Sequence, residues 1–241
     1  MRAAPSDVLR DGFALWSRSH RRIITDYLLM HGDMAVTNKR SNSPASLDLL
    51  LREIRACTLC APLLPHAPRP VLVASAHARI LIVGQAPGAK VHASGVPWSD
   101  ASGARLRTWL GVDDATFYDP SKFAIVPVGF CFPGRGASGD LPPRPECASR
   151  WHRELLAHMK SVRLTLLIGQ YAQCFGLGDA FGPTMTDTLV RWAEFGAQVM
   201  PLPHPSPRNI AWFKRNPWFE GEMLPTLRER VAAALTSDHD D

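Results

Sequence analysis

The sequence predicts an α/β fold, a three-layer α/β/α sandwich around a central four-stranded parallel sheet, and three observations carry that expectation. Four short aliphatic, β-branched segments, 79–84, 123–128, 164–169 and 197–202, recur along the chain. Stretches of helical periodicity separate them, and strands alternating with helices pair in parallel through crossovers. The chain's unusual loops also follow these segments, and in open sheets of this kind ligands sit beyond the carboxyl ends of the strands.

Element by element, residues 1–44 stand apart. They hold Arg2, Arg10, Arg18, Arg21, Arg22, Lys39 and Arg40 and end in a polar stretch, 37–44, which reads as an extension with a short helix around 8–30 and a flexible linker. The compact domain is expected over 45–237. It opens with Leu47, Leu50, Leu51 and Ile54 at helical spacing behind Ser46 as cap, running into Cys57. A proline-rich connector, 62–70, leads to the first strand. Helices are expected at 102–110, 145–160 and 170–175 between the strands, and a last one at 220–235; no internal repeat is visible.

Composition narrows the class. With 46% hydrophobic and 20% charged residues in 241, the chain is globular, not disordered, collagenous or coiled-coil. No apolar run approaches the roughly 20 residues that cross a bilayer and no leader opens the sequence, so a cytoplasmic protein with no membrane partner is expected. A net charge of +5 suits an anionic partner without requiring one. Five cysteines, an odd number with a Cys57-x-x-Cys60 pair, fit a reduced compartment and metal or cluster ligation better than a disulfide framework. Four of them fall in two groups, Cys57 with Cys60 and Cys131 with Cys147, and four such thiolates can hold an iron–sulfur cluster or a tetrahedral zinc. Spacing does not choose between the two; Cys174 reads as a buried thiol.

Two loops carry the chemistry. The first strand runs into Gly84-Gln85-Ala86-Pro87-Gly88, followed by His92 and then Gly95-Val-Pro97-Trp98. Glycines and a proline expose main-chain N–H groups there, suited to an anion or the polar edge of a base. A dinucleotide fingerprint is absent. Trp98 is placed to stack on a planar ring. The fourth strand runs into Pro203-His204-Pro205-Ser206-Pro207-Arg208-Asn209, whose three alternating prolines stiffen an extended segment. That support presents His204 to donate to developing negative charge, with Ser206 near a phosphate.

With both loops in this order the chain resembles the uracil-DNA glycosylase superfamily, and especially its iron–sulfur, family-4-like branch. Gly84–Gly88 looks like the family's first motif, Gly95-Val-Pro97-Trp98 matches the Gly-x-Pro-Phe that follows it, with Trp98 at the stacking aromatic, and His204-Pro-Ser-Pro207 matches the second motif; the resemblance covers about 46–235. It implies a monomeric, nucleoid-associated DNA repair enzyme that flips a uracil or another deaminated base out of DNA and hydrolyses its glycosidic bond. It also implies a 4Fe–4S cluster on Cys57, Cys60, Cys131 and Cys147, with zinc the less favoured occupant. The base would stack on Trp98 and be read by Gly84, Gln85, Ala86, Pro87, Gly88, Gly129 and Phe130. His204 would stabilise the departing base, while Ser206, Pro207, Arg208 and Asn209 grip the backbone and Arg208 enters the vacated space.

The chain departs from that pattern in three places, one of them His92, which stands among positions often acidic in the iron–sulfur branch. Pro127 occupies the neighbourhood where several relatives carry an edge-reading Asn, and Gln85 or Ala86 stands where some carry an acidic residue that positions water. Asp100 and His92 are the nearest polar candidates for that water; either could instead cap the helix starting near Ser102 or face solvent. No lysine is placed by sequence for a Schiff base, so a monofunctional enzyme is expected. A non-catalytic iron–sulfur protein that binds damaged DNA is the alternative these departures motivate.

Overall fold

The computed structural model describes residues 44–137 and 139–236. The extension and its helix at 8–30 lie outside them. Helix α1 (Pro44–Arg55) begins two residues before Ser46, which therefore lies inside the first turn. Cys57 follows in a turn closed by its N–H to the Ile54 carbonyl (3.1 Å). Strand β1 (Ile80–Val83) leads into α2 (Ala89–Ser94), α3 (Ala101–Leu110) and α4 (Asp114–Phe117), and then β2 (Phe123–Ile125).

A small antiparallel hairpin, β3 (Arg135–Gly136) with β4 (Gly139–Asp140), was not anticipated. The helix expected over 145–160 is a wide-wound turn (Ala148–His152) continuing into α5 (Arg153–Ala157). Then come β5 (Leu164–Ile168), α6 (Gln170–Leu177), α7 (Met185–Val190), β6 (Val199–Leu202), α8 (Ile210–Arg215) and, after a second wide turn, α9 (Leu224–Thr236).

The four main strands form one parallel sheet in the order β2-β1-β5-β6. Helices cover both faces, so every residue of these strands is buried and the runs are continuously apolar instead of alternating. The pleat still divides them. Leu81, Val83 and Ala124 face a core built with Leu47, Leu50 and Ile54 of α1, Leu155 of α5 and Phe175 of α6. Ile80, Ile82, Phe123 and Ile125 face the opposite core with Leu106, Trp109 and Leu110 of α3 and Leu227 and Val231 of α9. Pro201 sits in β6, an edge strand, where a missing N–H costs no ladder bond. This is the α/β/α sandwich the sequence predicts, with all four strand ends at one rim.

Candidate active site

At that rim lies a cleft of about 940 Å³, within the usual range for ligand sites. Its walls are the loops after β1 and β6 and the β3–β4 hairpin. Gly84, Gln85, Ala86, Pro87, Gly88, Trp98, Asp100, His204, Ser206, Arg208 and Asn209 line it, with Pro127 on the same surface. Two residues distant in sequence meet here: the rings of Trp98 and His204 stand 5.6 Å apart, centroid to centroid, tilted by 33°.

Trp98 is held in an uncommon conformation. Its φ is 56°, the left-handed region that a bulky side chain avoids, at a cost on the order of 1–3 kcal/mol. The surroundings fix it there. Its carbonyl accepts from Arg107 Nη1 and from the Tyr118 hydroxyl, both at 3.2 Å, and Arg107 is itself anchored to Asp114 at 2.6 Å. Gly103 lets this happen: a Cβ on it would stand 1.7 Å from the Trp98 oxygen. On the other side the indole lies against Gly84, whose Cβ would be 3.3 Å from Cζ2.

His204 is oriented by its own loop. The Ser206 N–H donates to Nδ1 (3.1 Å), which assigns the proton of the neutral ring to Nε2. Burial lowers its pKa, against the opposing pull of the Asp100 charge, so the ring is neutral near pH 7. The loop is braced from three sides. Asn209 Nδ2 donates to the His204 carbonyl (2.8 Å), Arg105 to the Pro205 carbonyl (3.3 Å), and the Ser206 hydroxyl accepts from the Arg208 N–H (3.3 Å).

Other expected residues fall differently. Asp100 caps α3, its Oδ1 accepting from the Gly103 N–H (3.0 Å), while still lining the cleft. His92 does not line the cleft. Its ring packs against His66 at 4.0 Å and near Phe132 at 6.0 Å, because α2 turns that side chain behind the loop. Burial first, then the charges of His66 and Arg69, lower its pKa. Gly129 and Phe130 are likewise outside the cleft and their main chains are occupied. The Gly129 N–H bonds the Gln85 carbonyl, the Phe130 N–H the Cys147 sulfur (3.5 Å), and the Phe130 carbonyl accepts from Val71.

Arg208 folds over the hairpin. Its Nη1 would lie 2.6 Å from a Cβ on Gly139, which has none and whose φ of +149° suits glycine. Sequence reasoning missed the hairpin's Arg135 and Asp140, and also Lys90, all of which line the cleft. The spaced glycines 134, 136 and 139 were the signal for a turn there.

The four grouped cysteines influence one another electrostatically. All are free thiols; Cys60, Cys131 and Cys147 are buried and Cys57 is half-buried. Burial pushes Cys131 up to about 11 and Cys147 up to about 12, and in both cases the charges of Cys57 and Cys60 add to the effect, so the four lie within electrostatic reach of one another. Burial also raises Cys60, partly offset by the Arg144 guanidinium that hydrogen-bonds it. Among the described residues no three His, Cys, Asp or Glu side chains are gathered into a group that would hold a metal ion. Arg69 links this region to the cleft: its main chain hydrogen-bonds Cys131, and its Nη1 donates to the His92 (2.6 Å) and Ala93 (2.7 Å) carbonyls at the end of α2.

No described helix is long and apolar enough to cross a membrane. The family model of the uracil DNA glycosylase superfamily matches residues 71–228, a span that contains both motif loops, all four sheet strands and the hairpin between them. On that match, with the two loops meeting at one rim of the sheet, the chain belongs to the uracil DNA glycosylase superfamily.

Proposed function

We propose that this protein excises uracil, and other deaminated bases that fit the same cleft, from DNA as a monofunctional glycosylase. The superfamily's chemistry is DNA glycosylase action on damaged bases; the choice of base and the roles below are our reading. The observation that carries it is the pairing of the Trp98 indole with a neutral His204 whose Nδ1 is already engaged.

Flipping a nucleotide from the stack costs a few kcal/mol, less when it is mispaired, and stacking on Trp98 offsets part of that. As the glycosidic bond breaks, its electron pair leaves with the base and the sugar becomes oxocarbenium-like. His204 then donates Nε2–H to the base oxygen that gains charge, an interaction stronger in the transition state than before it. A water adds to C1′ and an abasic site remains. The Gln85 amide is fixed by donating to the Leu141 carbonyl (3.1 Å), leaving its oxygen to accept from the base edge beside the loop's main chain. Pro127 offers no donor, so selection falls on this loop. Ser206 and Asn209 hold the backbone, and Lys90 at the rim adds a phosphate contact.

In the same reading Cys57, Cys60, Cys131 and Cys147 hold a 4Fe–4S cluster, which places the chain in the iron–sulfur branch. Four thiols within electrostatic reach of one another are the kind of donor set such a cluster takes, and a zinc would take the same set. When bound, the cluster would tie the turn after α1 to the loop after β2.

The test is an oligonucleotide with one uracil opposite guanine, incubated with the protein and then heated in alkali. Strand scission that falls at least ~100-fold in His204→Ala is expected; tight binding to the lesion without scission would refute catalysis and favour a damage-binding protein.

A further inference from the structure

Hydrolysis at C1′ requires a water aimed at a carbon that gains positive charge, and a carboxylate serves both needs by accepting the water's proton and facing the cation. Two carboxylates line the cleft among the described residues, Asp100 and Asp140. Asp100 has one oxygen, Oδ1, engaged by the first turn of α3. Asp140, on the exposed hairpin, pairs with Arg135 through its main chain, but its carboxylate has no hydrogen bond or ion pair among the described residues.

The chain on either side of Asp140 is pinned to a different loop. Leu141 receives the Gln85 amide through its carbonyl, and its own N–H closes on the Gly134 carbonyl (2.9 Å). Gly139 carries the Arg208 guanidinium against it. Asp140 is therefore suspended between the loop that would take the base and the loop that would take the phosphate. In a nucleotide, what lies between base and phosphate is the sugar. Its Oδ2 also sits over Gly88, 3.4 Å from where a Cβ would be, which brings the carboxylate against the first loop.

We propose that Asp140 is the catalytic carboxylate of this site: it orients the attacking water at C1′ and takes its proton. The water oxygen forms the new C1′–O bond, the C1′–N bond breaks with its electron pair leaving on the base, the base anion is held by His204, and the released proton resides on Asp140. This assignment rests on the glycosylase reading above.

The experiment is single-turnover cleavage of the uracil duplex by wild type, Asp140→Asn and Asp140→Glu, with affinity measured on a duplex carrying a non-hydrolysable 2′-fluoro-uridine. Asp140→Asn should lose at least ~100-fold in rate while binding the uncleavable duplex as tightly as wild type or more so, since a negative charge leaves the DNA-facing rim. Asp140→Glu should recover part of the rate. An Asn variant within about threefold of wild type in rate, or one whose rate loss is matched by an equal loss of affinity, overturns the role of Asp140 and leaves the glycosylase reading standing. Wild-type protein inert on every deaminated base overturns both.

Discussion

Gly103→Ala is the sharpest probe of how the stacking tryptophan is held. In an ordinary helix the change stabilises by about 0.5–1 kcal/mol, because alanine loses less backbone entropy. In α3 the new methyl carbon would stand 1.7 Å from the Trp98 oxygen and 2.5 Å from its carbonyl carbon. Those are backbone atoms, which cannot rotate aside. Restoring even 3.0 Å requires the carbonyl to withdraw by about 1.3 Å, the difference of the two distances. Such a shift breaks the hydrogen bonds from Arg107 and Tyr118, worth about 1 kcal/mol each, and adds an overpacking cost of about 1–3 kcal/mol. Set against the helix gain, the net loss is about 2–4.5 kcal/mol. Urea unfolding should show it as a lower midpoint, and KM for the uracil duplex should rise with the displaced indole. The comparison is Gly221→Ala, where nothing lies within 4 Å of the new carbon; that variant should gain about 0.5–1 kcal/mol. A Gly103→Ala protein with an unchanged or raised midpoint and an unchanged KM would refute the reasoning.

Other expectations concern protonation and sulfur. Burial holds His152, stacked on Phe130 and bonded to the Val128 carbonyl (3.2 Å), down to about 4. Below pH 6.5 the unfolded chain takes up a proton that the folded chain refuses, so stability falls as pH drops from about 6.5 to about 4. The loss from this residue is on the order of 3 kcal/mol, seen in urea midpoints at pH 7 and 4.5; a slope unchanged in His152→Asn would contradict it. The lowered pKa of His204 predicts that the cleavage rate does not decline as pH falls through 6.5, and a rate already halved at that pH would count against a neutral donor. Replacing Cys60 or Cys147 by Ser should abolish bound iron and acid-labile sulfide together, measured by elemental analysis of anaerobically purified protein; stoichiometric zinc in wild type would replace the cluster assignment.

The sheet was legible because its strands are short, nearly unbroken apolar runs, the pattern of a parallel sheet covered on both faces. The two motif loops were legible because glycine and proline mark where the chain must turn tightly or stay stiff. What was hidden had short-range causes. The hairpin pairs two residues with two, too few for any periodicity, so Arg135 and Asp140 went unseen. His92 was misplaced because nearness to a motif in sequence says nothing about which side of a short helix a residue takes. Gly129 and Phe130 follow the second strand as expected, but they lie outside the cleft with their N–H groups spent inside the fold, which only coordinates reveal. The distortion at Trp98 was equally invisible, since it depends on a glycine five residues on and a tyrosine twenty residues on.

Arg69 gives the cysteine region a mechanical line to the cleft. One end of this residue serves sulfur at Cys131 and the other ends α2, the helix that follows the first motif loop. Oxidation or alkylation at Cys131 would tug on the same residue that seats α2, so chemical damage to the thiols should be felt as altered substrate affinity well away from the atoms that were modified.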